Sequence, residues 1–345
     1  MQLPKAINSA LAGLRPRQKE VLLARFGLEK GDGEGETLAA IGDRLKVTRE
    51  RVRQIEASGV KLAVSNMEGD AETASLLEKL KKYLAARGGV ATREDALSYA
   101  ATFAKGVRPN HLDFLAEASG TFKLHREDED FKPFYYASPK ELKAAKSFIK
   151  EWAETLRARK EKVLSGTAGS YEAHLASFVK AQNFAPAVAD NYLSIAKHIQ
   201  KNSYGDVGLR EWPEICPATV RDKIYLVLKK HGEPLHFEDI ARHINKAAFD
   251  EQEALAPTVH NELIKDGRFV LVGRGTYGLR EHGYEPGTAR EVIARILKSG
   301  PLRPADVVVA VNKQRLFKEN TILINLQNRS FFERMADGRY RVREA

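Results

Sequence analysis

Residues 37–56 read TLAAIGDRLKVTRERVRQIE, and this stretch decides the fold of the amino-terminal part of the chain. Thr37 is a suitable N-cap, and Leu38, Ile41 and Leu45 form an apolar stripe at i, i+3 and i+7, which predicts a short helix. Lys46–Val47 makes a tight connection. Thr48 caps again, and Glu50 falls in the first turn of the next helix, where negative charge is favoured. On that second helix Val52 and Ile55 share one side. At about 100° per residue, Arg49, Glu50, Arg53 and Gln54 cover an arc of roughly 140° on the opposite side. Two helices, a tight turn, a buried inner face and a polar outer face are how a helix-turn-helix presents a recognition helix to the major groove.

The outward residue types suit that task. Arginine donates in bidentate fashion to guanine, glutamine pairs with adenine, and glutamate accepts from cytosine. Between Arg44 and Lys61 six basic residues stand against Glu50 and Glu56. A charged helix face that merely meets solvent fits the same pattern, and the residues by themselves leave both readings open.

Beyond this module, glycine, proline and polar clusters divide the chain into units of 1–69, 70–138, 139–216, 217–284 and 285–345. Each later unit repeats one plan. A first amphipathic helix (LLEKLKKYLAARGG, KAAKSFIKEWAETLRA, VRDKIYLVLKKHG, AREVIARILKSG) precedes a short second one such as EDALSYA, FEDIARHIN or PADVVVAVN. A third helix ends in a polar or small pair and an aromatic, as in SGTF (119–122), KNSY (201–204), DGRF (266–269) and NRSF (328–331). A strand-like stretch follows. In FFERMADGRYRVRE (331–344), Asp337–Gly338 reads as a two-residue hairpin turn. The expected fold is therefore mainly α, with tandem helix-turn-helix and winged-helix modules carrying small two-stranded β wings. The 139–216 unit fits least well, because the Gly166–Ser170 loop interrupts its long helices.

Composition bounds the function. The 345 residues are 43% hydrophobic and 30% charged, enough apolar material for packed cores, and the formal net charge of +10 favours polyanion partners. No apolar run approaches the roughly 18 residues of a membrane span, and Met1–Gly13 lacks the pattern of a secretory signal. A cytoplasmic, nucleoid-associated protein is expected. The single cysteine, Cys216, excludes an internal disulfide and reads as an inert thiol before Pro217. No phosphate-binding loop, dinucleotide fingerprint, metalloprotease or nucleophile-elbow motif occurs, so no enzyme and no cofactor is expected. His231, His236 and His243 lie close in sequence but flank a turn at 232–234, and no metal site is expected there.

The stretches LRPRQKEVLLARFGL (14–28) and TLAAIGDRLKVTRERVRQIEA (37–57) closely resemble region 4 of sigma-70-family transcription initiation factors, over about a sixth of the chain. The resemblance implies recognition of a promoter element in double-stranded DNA and docking on the β flap of core RNA polymerase. By position it assigns Arg49, Glu50, Arg53 and Gln54 to base contacts, and Arg17, Arg25, Thr48, Arg51 and Lys61 to the DNA backbone. Leu14, Val21, Leu22 and Phe26 match the packing of the region's first helices, part of which offers the apolar surface for the flap. No aromatic-rich, basic promoter-melting helix precedes the module, so promoter opening by the chain alone is not expected. The stretch from Ala218 through EPLHFEDIARHI and GRFVLVGRGTYGL resembles the HARE-type helix-turn-helix domain, whose relatives include the delta subunit of bacterial RNA polymerase. There Phe237, Phe269, Tyr277 and Gly278 are expected to be core and turn residues.

The acidic HREDEDF (125–131) would repel DNA, so the two middle units read as spacers or protein-binding modules. From Gly287 to Ala345 twelve basic residues face six acidic ones. Lys313, Arg315 and Lys318 precede a recognition helix expected at NTILINLQN, and Arg334, Arg339 and Arg341 of the wing are expected on a phosphate backbone. The alternatives are a polymerase-associated interaction scaffold and the DNA-binding specificity component of a DNA-modification system.

Overall fold

The computed structural model describes residues 3–28, 35–68, 70–164 and 170–343. Most of the glycine-rich 27–38 loop and of the Gly166–Ser170 loop lies outside the described residues. Among those described, seventeen α-helices dominate over ten short strands, as a mainly helical tandem of helix-turn-helix modules requires. The chain divides into two compact units, residues 1–199 and 200–345.

The first unit opens with α1 (Leu3–Ala10), α2 (Pro16–Phe26), α3 (Leu38–Leu45) and α4 (Arg49–Glu68). A winged-helix order follows, with α5 (Ala71–Ala86), β1 (Val90–Thr92), α6 (Arg93–Ala101), α7 (Pro109–Ser119), β2 (Lys123–His125) and β3 (Phe134–Tyr136). β1 joins the wing as a third strand, in the order β1-β3-β2, because Val90–Thr92 pairs antiparallel with Phe134–Tyr136. Polar N-caps start these helices. Thr37 Oγ1 accepts from the Ala40 amide at 3.1 Å, Asp70 from Thr73 at 3.1 Å and Thr92 from Asp95 at 3.0 Å. Next come α8 (Pro139–Ala158), α9 (Lys160–Val163), α10 (Ser170–Ala181) and α11 (Pro186–Ser194), then the ribbon of β4 (Ile199–Lys201) and β5 (Val207–Leu209).

Two cores meet on α2 and α4. Val21, Ile41, Val52 and Ile55 fill the small interior of the helix-turn-helix itself. A larger core runs on without a break into the winged helix: Leu11, Leu14, Leu22, Leu28, Ala63 and Met67 pack with Leu80, Leu84, Leu112, Phe114 and Leu115. Helix α4 supplies both. Its first half carries the outer face expected from the sequence. Its second half buries Ala63 and Met67, with Val60 and Val64 beside them, at the i, i+3, i+4, i+7 spacing of an apolar stripe. Gly59, where α2 crosses, leaves a gap that a Cβ would close to 3.2 Å from Leu22.

The third helices of both middle modules are buried by packing. In α7 only Glu117 is exposed, since Phe114 meets Phe26 edge-on at 5.3 Å and Asn110 donates to the Gly27 carbonyl at 3.2 Å. α11 seats on the α5–β1 corner. There the Asn191 amide donates to the carbonyls of Arg87 and Val90 at 2.7 and 2.6 Å, and the Tyr192 hydroxyl to that of Gly88 at 3.0 Å.

The second unit holds two further winged helices. One consists of α12 (Val220–His231), β6 (Leu235–His236), α13 (Phe237–Ala247), α14 (Ala256–Lys265), β7 (Phe269–Gly273) and β8 (Thr276–Leu279), with strand order β6-β8-β7. Phe269 and Tyr277 are buried in its core, and Gly278 lies where a Cβ would strike Tyr284 at 2.6 Å. The other consists of α15 (Ala289–Leu297), α16 (Pro304–Gln314), α17 (Glu319–Leu326), β9 (Phe332–Arg334) and β10 (Tyr340–Val342). The expected two-residue turn in its wing is longer. Met335 accepts from Gly338 and donates to Arg339, leaving three loop residues with Gly338 at φ 84°. A turn closed by a left-handed glycine is the usual three-residue alternative.

Candidate nucleic-acid interface

The helix-turn-helix is set by its turn. Lys46 takes a left-handed conformation (φ 55°), and the Val47 amide returns to the Gly42 carbonyl at 2.9 Å. A Cβ on Gly42 would lie 2.8 Å from the Val47 carbonyl oxygen, so glycine is what lets the chain double back so tightly. Thr48 Oγ1 then accepts from the Arg51 amide at 3.2 Å and starts α4.

With Val52 and Ile55 buried, Arg49, Glu50, Arg51, Arg53 and Gln54 all stand exposed. Glu50 and Arg53 form a two-bond pair at 2.7 and 2.8 Å. Arg53's hydrogen bond and charge hold the Glu50 carboxyl below its usual range, and Glu50 holds the Arg53 guanidinium above its own. Arg51 donates to Gln54 Oε1 at 3.1 Å. Among the described residues Arg49 makes no side-chain hydrogen bond or ion pair, so its guanidinium fork is open.

The expected backbone contacts divide. Arg17 is exposed on the first turn of α2 and donates to the Leu45 carbonyl at 3.0 Å, which places it beside the α3–α4 turn. Thr48 is occupied as a cap but remains exposed. Lys61 is exposed half a turn round from Val52, about 18 Å along the helix from Arg49 at the usual rise. Arg25 departs from the expectation. Its side chain is only 19% exposed, pairs with Glu56 at 3.1 Å and donates to the Glu36 carbonyl at 3.0 Å. A guanidinium held by a carboxylate and a carbonyl braces α2 against α4 and has little left for a phosphate. The Arg25–Glu56 pair escapes a reading of the sequence because 31 positions separate its members. Arg44, which the sequence assigns to no role, is an exposed cation tied to Glu20 at 2.8 Å and Glu36 at 3.4 Å.

In the terminal wing, Arg339 pairs with Asp337 at 2.6 Å and Arg341 with Glu333 at 2.9 Å, both exposed. Arg334 makes no ion pair among the described residues. Arg315 turns inward, where it donates to the Gly287 carbonyl and lies 5.0 Å from the Phe317 ring centre; burial lowers its pKa.

No group of three or more potential metal-ligating side chains occurs among the described residues. His231 and His243 do approach, with ring centres 5.7 Å apart, while His236 instead faces Glu238 at 3.7 Å. Cys216 Sγ donates to Gln200 Oε1 at 3.2 Å. No described helix is long and apolar enough to cross a membrane.

Comparison with known proteins identifies two of the modules. Residues 10–61 match the family described as Sigma-70, region 4, and residues 218–282 match the HARE-HTH family, described as a restriction endonuclease HTH domain. RNA polymerase sigma factor SigA4 of Synechococcus elongatus is 57% identical over 51 residues, 15% of this chain and 16% of that protein. SigA of Clostridium acetobutylicum is 47% identical over 60 residues, 17% of this chain and 14% of its own length. RpoD of Helicobacter pylori is 51% identical over 59 residues, 17% of this chain and 9% of its own length. This chain therefore spans no more than 16% of the length of these relatives. Both matched modules are DNA-binding domains without catalytic machinery of their own. The chain carries a sigma-70 region 4 helix-turn-helix at residues 10–61 and a HARE-type helix-turn-helix at residues 218–282.

Proposed function

We propose that this chain is a sequence-directed double-stranded DNA-binding protein that acts in transcription by binding alone, with α4 laid in the major groove of a promoter-type element. The observation that carries this reading is the exposed row Arg49, Glu50, Arg53, Gln54 opposite buried Val52 and Ile55, within a segment that matches region 4. Arg49 supplies a free bidentate donor, and the Glu50–Arg53 pair presents one acceptor and one donor at fixed spacing. Arg17, Thr48, Arg51 and Lys61 frame this face as backbone contacts. Such a protein works in the cytoplasm, on the nucleoid.

Association with core RNA polymerase is the second reading, supported by the sigma-factor relatives. Docking on the β flap through the region's apolar face meets an obstacle. Leu14 and Leu22 are buried, and Phe26 is packed, in the core shared with α7. A flap helix reaches them only if α7 leaves.

Selection of bound sequences from random DNA, with and without core polymerase, tests the assignment. On the preferred site Arg49→Ala or Gln54→Ala is expected to cost about 1–3 kcal/mol, with far smaller loss on random DNA and relaxed choice at one or two base pairs. Arg17→Ala weakens both DNAs alike and leaves the motif intact. Circular dichroism confirms that each exposed-residue variant is folded. Parental binding by both Arg49→Ala and Gln54→Ala would transfer the assignment to the polymerase-docking scaffold.

A further inference from the structure

Of the third helices in the four winged modules, α7 and α11 are spent on packing, whereas α17 turns a free face outward. Ile322 and Leu326 are buried in the terminal module's core. At about 100° per residue, Asn320, Thr321, Ile324 and Gln327 lie within an arc of roughly 120° opposite them. All four are exposed, Ile324 by 69%. The cations around this face are unengaged. Lys313 and Lys318 flank the α16–α17 turn, Arg329 follows the helix, and Arg334 stands on β9. None of the four makes a side-chain hydrogen bond or ion pair among the described residues. The nearby acids are directed elsewhere. Glu333 and Asp337 hold Arg341 and Arg339, and Glu291 caps α15 by accepting from the Thr288 amide at 2.7 Å. Glu319 lies about 60° from Ile322, on the core side of the outward arc.

We propose that residues 304–342 form a second DNA site, in which α17 reads the major groove of an A·T-rich duplex while Lys313, Lys318, Arg329 and Arg334 hold its phosphates. The ring of free cations selects a polyanion. The chemistry of the enclosed face selects the bases. Asparagine and glutamine pair with adenine, an exposed aliphatic side chain meets the thymine methyl, and threonine serves either. No arginine or lysine on the outward arc offers guanine its usual partner. This site stands on residues unconnected with α4, so the two readings succeed or fail separately.

The test uses the full chain carrying Arg49→Ala and Gln54→Ala, which silences base reading by α4, with short A·T-rich and G·C-rich duplexes in a fluorescence anisotropy titration. The A·T-rich duplex is expected to bind about tenfold tighter, a preference that Asn320→Ala with Ile324→Ala abolishes. Lys313→Ala with Lys318→Ala and Arg334→Ala is expected to weaken both duplexes and to reduce the log–log salt slope by about 0.9 for each phosphate no longer neutralised. These side chains are exposed, and circular dichroism checks the fold of every variant. Equal binding of the two duplexes before substitution, an unchanged salt slope, or stronger binding of single-stranded RNA than of either duplex overturns the proposal. Unaltered DNA binding by the Asn320→Ala, Ile324→Ala variant also overturns it and leaves the face to a protein partner.

Discussion

Phe114→Ala is expected to lower the unfolding free energy by about 3–5 kcal/mol and to loosen the amino-terminal helix-turn-helix, although Phe114 lies 45 or more positions beyond every residue of that motif. Phe114 is buried in the core that contains Leu22, Leu28, Ala63 and Met67 on one side and Leu80, Leu84 and Leu112 on the other. Truncating it removes the edge contact with Phe26 and leaves a void walled by both modules. Hydrogen exchange checks the claim. Amides of residues 60–67 and those of α5 should lose protection together. Retained protection of α4 beside a loosened α5 would show that the modules melt apart. The same variant should also bind its DNA site more weakly, through α4 and not through any contact of its own.

The second large effect is on acid stability. His111 is buried, and burial, together with the positive charge of Arg108, pushes its pKa down to about 4. Arg108 donates from its backbone amide to His111 Nδ1 at 3.3 Å and from its guanidinium to Nε2 at 2.9 Å, so the ring sits against a cation as well as in the core. The sign follows from linkage. Below the ordinary histidine value near 6.5, the unfolded chain takes up a proton that the folded chain refuses. Stability is therefore intact above that value and falls as pH drops toward 4, by about 3 kcal/mol over the full interval. Thermal melts between pH 7.5 and 4.5 measure it, with His111→Gln expected to flatten the pH dependence even though it lowers stability at neutral pH. Parallel curves for the two proteins would remove His111 as the cause.

What is legible in the sequence is local. The Thr37 cap, the Ile41–Val52–Ile55 interior and the outward row from Arg49 to Gln54 all depend on residues within one or two turns of each other, and periodicity reports such neighbours directly. The 60–67 stripe is visible too, but not its partner α7, because spacing names a buried face without naming what buries it. PNHLDFLAEAS, apolar on nearly every side, carries a signal that α7 is enclosed and not groove-bound. Residue type alone makes Arg25, Arg339 and Arg341 free cations. Their acceptors come from chain folding for Arg25 and from cross-strand and turn geometry for the other two, which residue type does not reveal.

Helix α4 is one uninterrupted rod of 20 residues, about 30 Å long. Its amino-terminal end carries the reading face, and its carboxyl-terminal half is embedded in the neighbouring winged helix. Mass action then ties the two ends together. A duplex that binds only the intact rod stabilises everything packed on it, by about 2.7 kcal/mol when free DNA stands at a hundred times its dissociation constant. Residues 71–136 touch no base in this arrangement, yet their resistance to proteolysis becomes a gauge of promoter occupancy.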